Sequence, residues 1–279
     1  MIPSAMMNGA QRKCVFCGGP ANSREHVFAK RLCQRAQVKK MAVIAGIYTE
    51  GEGIKNRGEH LLDTLTVRHV CATCNNGWMN ELEDWFETRL GHFIQPEWPR
   101  LAENFLEMVR PESDKLAQWL IKTAVTYNLA AVKGKLKVEF PPEVLSGIMT
   151  GKIPDYCWVD LGYSRLSTVG AGIGKCFRTI NGGQYQYSQI FSGFGFSFIV
   201  QFNHLLLRIA NAPKADVVYD PSFGGRPVRL YPTPDSRIII PEYADFMKFQ
   251  HSVVLRTWFG CKGNIPQQAG MDLASNLIT

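Results

Sequence analysis

No run of about 18 uncharged apolar residues occurs in this chain, so a membrane-spanning helix is not expected. The nearest approach, Ile190 to Val200, is short, holds Gly and Ser, and is followed by Gln201 and Asn203. Met1 to Lys13 contains no apolar stretch of the kind a secretory leader needs. A cytoplasmic protein is the expectation, and in that compartment thiols stay reduced. Neither an internal repeat nor a low-complexity segment is present, so a repeat architecture is not expected. Phosphate-loop chemistry is missing as well. Gly170-Ala171-Gly172-Ile173-Gly174 lacks the Gly-Lys-Ser/Thr ending of a Walker loop and the full dinucleotide spacing, and reads as a glycine-rich hairpin.

Acidic residues are nearly absent from the first 40 positions. That segment holds eight basic side chains, Arg12, Lys13, Arg24, Lys30, Arg31, Arg35, Lys39 and Lys40, and one acid, Glu25. It therefore carries the whole net charge of +7, and the remaining residues balance. A localised basic surface is the electrostatic footprint of a nucleic-acid binder, although a basic face can also serve solubility alone. The composition, 46% hydrophobic and 20% charged over 279 residues, suits a globular chain of one large or two ordinary domains.

Eight cysteines are present, and four form two Cys-x-x-Cys pairs: Cys14-Val15-Phe16-Cys17 and Cys71-Ala72-Thr73-Cys74. In a reducing compartment such pairs signal a structural zinc, each making a tight knuckle and the four thiolates closing a tetrahedral site. With 53 residues between the pairs, the metal would clamp two distant segments. Cys33, Cys157, Cys176 and Cys261 read as plain buried thiols. Near the pairs lies polar chemistry: Arg24-Glu25-His26 after the first and Asn75-Asn76-Gly77-Trp78 directly after the second.

Together Cys14, Cys17, Glu25, His26, Cys71, Cys74 and Asn75 resemble the HNH endonuclease superfamily in its zinc-containing ββα-metal finger form. The resemblance spans roughly residues 10–90, about a third of the chain. It implies a metal-dependent endonuclease that hydrolyses phosphodiester bonds of DNA. His26 would be the general base. Glu25 and Asn75, with Asn76 as fallback, would hold a catalytic Mg2+ or Mn2+, while Zn2+ at the four cysteines is structural. Arg24, Lys30 and Arg31 would contact neighbouring phosphates. The family's middle Asn, which orients the catalytic His, has no counterpart in Leu62 to Val70; Asp63, Thr66, His69 or a backbone carbonyl are the substitutes. Proteins of this type occur in bacteria and phages, in restriction, phage defence and mobile elements. The reading of a different class is a zinc-stabilised nucleic-acid-binding or scaffold protein without catalysis.

The expected fold is α+β. A zinc-stapled finger over residues 1–95 precedes a helical segment over 96–152. An antiparallel β-rich α+β domain follows over 153–279; the sequence assigns it no role, and it could bind a protein partner or a regulatory ligand. Within the first segment, Val27 to Gln37 forms a short helix or turn, Met41 to Tyr48 a strand, Thr49 to Glu59 an exposed loop, and His60 to Val70 a strand. From that loop Lys55 and Arg57 can reach a nucleic-acid backbone, or the loop is a tolerated insertion. Trp78, Leu82, Trp85, Phe86, Leu90 and Phe93 recur at helical spacing and read as core; Glu81, Glu83, Asp84 and Glu87 form the opposite, acidic face, turned from the substrate. Pro96 and Pro99 mark a boundary. A helix then starts at Ser113, buries Leu116, Trp119, Leu120, Thr123, Ala124 and Tyr127, and stops near Lys133-Gly134. Pro141-Pro142 opens a short helix ending before Gly151. Beyond Asp155 come short strands, with a turn at Asn203-His204, a closing helix over Glu242 to Gln250 and a weakly ordered tail after Gly260. His204 and His251 read as structural.

Overall fold

In a computed structural model, residues 12–37, 42–49, 53–95, 102–131, 140–174, 176–181, 184–189, 196–211, 215–219, 226–232, 240–244, 249 and 253–257 are described. The lead-in before Arg12, Lys39, Lys40, Pro96, Pro99, the helix stop at Lys133-Gly134, His251, Cys261 and the tail after Gly260 lie outside them.

The N-terminal part is built on two strands. β1 (Ser23–His26) pairs antiparallel with β4 (Thr66–Val70), with His26 opposite Thr66 and Ser23 opposite Val70. Between them come α1 (Lys30–Arg35) and a hairpin of β2 (Ala42–Thr49) and β3 (Gly53–Leu61). The segment expected to be a loop is thus mostly the hairpin's return strand. Polar, Gly-containing residues can make that ribbon because the ladder uses backbone groups alone; the side chains of Lys55 and Arg57 lie outside those described. After β4 the chain turns through α2 (Ala72–Cys74) and a π-helical turn (Asn75–Met79) into α3 (Asn80–Leu90).

Next come α4 (Ala102–Val109), α5 (Ser113–Ala131) and α6 (Pro142–Ile148). The expected inner face of α5 is buried from Leu116 through Ala124, with Tyr127 half-buried. Gly151, just past α6, takes φ +73°, the left-handed stop that glycine tolerates.

Two sheets complete the fold. In the first, β5 (Cys157–Gly174) pairs antiparallel with β8 (Ser197–Asn211) and with β10 (Val228–Tyr231), and parallel with β11 (Glu242–Tyr243). The second has the order β7 (Gln184–Gln189), β6 (Cys176–Asn181), β12 (Val253–Thr257) and β9 (Ala215–Tyr219). Here β12 runs parallel to β6 and antiparallel to β9. The architecture is α+β and mainly antiparallel. The glycines at 170, 172 and 174 lie inside β5, paired with β8, and not at a hairpin tip. The expected closing helix begins as strand β11, because Glu242 and Tyr243 pair with Tyr163 and Ser164.

The turn expected at Asn203-His204 is instead a kink within the continuous strand β8. Asn203 takes φ +54°, a left-handed conformation that asparagine adopts more readily than most residues. The register with β5 shifts at the same place. The kink turns the Asn203 amide towards the N-terminal elements, where it donates to the carbonyls of Ala36 (3.3 Å) and Ile94 (2.6 Å). Near the other end of the strand, buried Asp160 accepts from Arg208 (2.6 and 3.0 Å) and Arg229 (2.9 Å). Burial opposes the charge of Asp160, but the two guanidiniums hold its carboxyl below the usual range.

Among the described residues one apolar core is continuous. α5 packs against α3, β4, β5 and β8. Phe86 of α3 stacks on Trp119 of α5 at 3.8 Å, and Phe202 of β8 lies 6.4 Å from Trp119. One apolar cluster runs from Cys14 and Phe16 through Trp119 to Leu230, so the segments 1–95, 96–152 and 153–279 share a core. No described helix is long and apolar enough to cross a membrane.

Candidate functional site

The first Cys pair is shaped by a tight turn. Gly18 takes φ +74°, its N–H donates to the Cys14 carbonyl (2.9 Å), and the Cys14 N–H donates to Gly19 O (2.7 Å). The second pair opens α2, where the Cys74 N–H donates to Cys71 Sγ at 3.4 Å. The two knuckles are joined by Val15 N–H to His69 O (2.9 Å) and by Ala72 N–H to Asn22 Oδ1 (2.9 Å). All four sulfurs lie within 4.8 Å of one another, with Cys17 and Cys71 3.5 Å apart. Four thiolates at about 2.3 Å from one ion stand roughly 3.8 Å apart, so the cluster fits a tetrahedral zinc. The Cys71 thiol is held down to about 7, first by the Cys74 N–H, which favours the thiolate that a metal needs. The cluster can hold zinc as the sequence predicts. Cys33 and Cys157 are fully buried, as expected of plain thiols; the side chains of Cys176 and Cys261 lie outside those described.

Beside this cluster, β1, α1 and the π-helical turn enclose a cleft of about 390 Å³. Glu25, His26 and Asn75 line it together, although Asn75 is 49 positions from His26 in the chain. The π-helical turn explains part of this convergence. The turn is kinked at Gly77, whose φ −94° and ψ −119° are not helical, and beyond the kink Asn80 lines the cleft with Asn75, with Glu83 one turn later. Asn75 donates from its amide nitrogen to Ser23 Oγ at 2.6 Å, fixing it against β1. Asn76 is exposed and outside the lining.

His26 is half-buried, and its Nδ1 is sealed from solvent without a hydrogen-bond partner. Burial pushes its pKa below the ordinary imidazole value, and the neighbouring Lys30 adds to this; Asp63 pulls the other way. The imidazole is therefore neutral at neutral pH, the form that accepts a proton. Among the three side chains expected to replace the family's middle Asn, Thr66 is the cross-strand partner of His26. Asp63 acts on His26 through its charge, and its own Oδ1 is buried without a partner.

Glu25 is buried against a cation from a distant helix. Lys122 of α5, fully buried, places Nζ 3.1 Å from Glu25 Oε1 and forms a shorter bond to Glu83 Oε1. Burial disfavours the Lys122 ammonium, but Glu83 and Glu25 together raise its pKa above the ordinary value. Burial pushes the Glu25 carboxyl up, against the pull of Lys122. Any divalent ion reaching Glu25 therefore meets a resident ammonium. Glu83 was expected on an outward acidic face; it is buried, because Lys122 supplies its counter-charge, and it lines the cleft. Lys122 and Glu83 were missed by sequence reasoning. The usable signal was a lone lysine inside the apolar run Trp119 to Val125.

The basic residues divide by environment. Arg31 is bound by Asp84 and by Glu87 (2.6 Å), and Arg35 also binds Glu87 (3.1 Å). α1 thus covers the Asp84 and Glu87 part of the acidic face of α3, and the guanidinium of Arg31 is already neutralised although it lines the cleft. Lys30 is exposed at the cleft edge, and Arg24 is exposed on β1. The aromatic stripe that runs from Trp78 through α3 to Phe93 packs on the core, with Phe86 and Phe93 buried. His204 is structural too: Nδ1 lies 2.8 Å from Ser164 O, and the ring stacks on Tyr163.

No family model, no curated protein and no solved structure matches the chain. The resemblance to the HNH superfamily accordingly rests on seven residues and on where they meet.

Proposed function

We propose that the chain is a metal-dependent HNH-type endonuclease acting on DNA, with residues 12–95 forming a zinc-stapled ββα finger. The observation that carries this reading is the meeting of Glu25, His26 and Asn75 in one cleft beside the four-cysteine cluster. The order of elements supports it: β1 and β4 are paired, and the helical segment that follows brings Asn75 back to β1. In this reading neutral His26 takes a proton from the attacking water. Glu25 and Asn75 offer oxygens suited to a hard divalent ion such as Mg2+ or Mn2+. When bound, that ion supplies charge neutralisation at the leaving oxygen. Asn75 is held in place by Ser23, and Glu25 by Lys122. The test is conversion of supercoiled plasmid to nicked or linear forms with added Mg2+ or Mn2+; no cutting of DNA with either metal would overturn the reading.

A second reading, a zinc-stabilised nucleic-acid-binding or scaffold protein without catalysis, is favoured by one observation. Lys122 already neutralises the carboxylate that the metal would use. Under that reading DNA binding persists while cleavage is absent with every divalent ion. A cytoplasmic setting, a place in restriction or phage defence, and a partner or regulatory ligand for the β-rich part remain components of the same proposal.

A further inference from the structure

A second cleft, of about 610 Å³, opens on the outer side of β1 and β4. Its lining includes three exposed arginines, Arg12, Arg24 and Arg68, together with Asn22 and Ser23, and no carboxylate. None of the three arginines has an ion-pair partner among the described residues, unlike Arg31 and Arg35 nearby. An arginine cannot relieve repulsion by losing its proton. An anionic ligand can therefore neutralise all three around this cleft. The guanidinium fork matches phosphate oxygens in pairs.

The strand geometry says which anion. Between Ser23↔Val70 and Glu25↔Val67 the register slips, so Arg68 and His69 of β4 together oppose the single Arg24 of β1. The bulge brings Arg68 to Arg24 at the outer surface. Arg24 lies two residues from His26, roughly 7 Å along an extended strand, and its charge is felt at the His26 ring. Ser23 joins the two clefts, lining the arginine cleft while its hydroxyl accepts from Asn75 of the other. A polyanion whose charge repeats along its length can thus occupy both clefts at once.

We propose that Arg12, Arg24 and Arg68 form a binding site for the phosphodiester backbone of DNA, holding phosphates that flank the one presented to His26. This rests on the nuclease reading of the adjacent cleft. Of the phosphate contacts that the resemblance implies, Arg24 is kept and Arg31 is spent on Asp84 and Glu87, while Arg12 and Arg68 join Arg24 on the outer face of β1 and β4. The site reads charge and not sequence, because its donors address phosphate oxygens alone.

The test uses the full-length, zinc-loaded protein and a mixed-sequence DNA duplex, without added divalent ion so that nothing is cut. Fluorescence anisotropy gives Kd across about 50–200 mM salt, and each lost phosphate contact flattens the slope of log K against log salt by about 0.9. Arg24→Gln/Arg68→Gln is expected to flatten the slope by roughly twice that amount, and Arg68→Gln alone by half as much as the pair. Arg24→Lys/Arg68→Lys, which keeps both charges, is expected to retain most of the slope. Thermal melts and zinc content establish that each variant is folded; the residues are exposed, so the single variant serves if the pair is unstable. A slope unchanged in the folded Gln variants, with wild-type binding intact, overturns this site and leaves the nuclease reading standing. A wild-type protein that does not bind DNA at low salt overturns both.

Discussion

Replacing Lys122 by methionine removes the cation that pairs with both Glu25 and Glu83 while keeping most of the side-chain volume. Lys122 is fully buried, and the two carboxylates are almost so. The cavity left is small, and the loss is electrostatic: two carboxylates stay in the interior without their counter-charge. Breaking a buried pair in this way costs about 3–5 kcal/mol. At roughly 2–4 °C per kcal/mol for a chain of this size, the melting temperature at neutral pH falls by roughly 6–20 °C. The pH dependence gives a second handle. The folded-state pKa of Lys122 is raised above 10.5, so its contribution is complete below that value and is lost only at higher pH. Neutral pH therefore shows the full effect. Glu25 is already raised above 4.5 by burial, and without Lys122 it rises further. A raised carboxyl favours the fold when protonated, so the variant regains stability as pH falls through its folded pKa. The deficit against wild type should be largest near pH 7–8 and narrow towards pH 5. Lys122→Met/Glu83→Gln should recover part of the loss. Thermal melts across this pH range are the assay. A single variant that melts with wild type, at every pH, would refute the picture of a buried charge triad.

Other outcomes follow from the same contacts. The purified protein should carry about one zinc per chain by elemental analysis, and Cys71→Ser should lose it together with much of the stability, because structural zinc binding is folding free energy. Asn203→Ala removes two buried hydrogen bonds and a residue suited to positive φ, and should cost about 2–4 kcal/mol in denaturant titration. Asp160→Ala leaves buried Arg208 without its carboxylate, and should cost about 3–5 kcal/mol by the same measurement.

Much of this was legible in the sequence, but unevenly. Regular elements with a repeating apolar pattern were readable: the face of α5 follows the 3.6-residue period, and the Pro141-Pro142 start and Gly151 stop bracket α6. Each Cys-x-x-Cys pair was readable because its short spacing signals local chemistry, whereas the meeting of Glu25 and His26 with Asn75, 49 positions on, is supplied by the fold. What escaped notice depends on distant partners. Nothing near Lys122 in sequence reveals that it meets Glu25, 97 positions away. Glu83 looked solvated because its partner lies on another helix. Asn203 carried a turn signal, and the structure uses its positive φ to kink a long strand and clamp Ala36 and Ile94. Strand β3 has no apolar alternation, so its hairpin pairing left no mark in the pattern. The acidic side of α3 was expected to face away from any ligand; α1 covers part of it through Arg31 and Arg35.

The most direct measurement is plasmid cleavage by wild type and His26→Ala, side by side, with Mg2+ and with Mn2+. Loss of a general base typically lowers a rate by about 10²–10⁴-fold, whereas one half-buried imidazole contributes little to zinc binding or DNA affinity. Wild type is expected to cut and His26→Ala to be nearly silent, with zinc content, melting temperature and DNA affinity close to wild type. Equal cutting by both proteins, or cutting by neither while DNA is still bound, would contradict the nuclease reading.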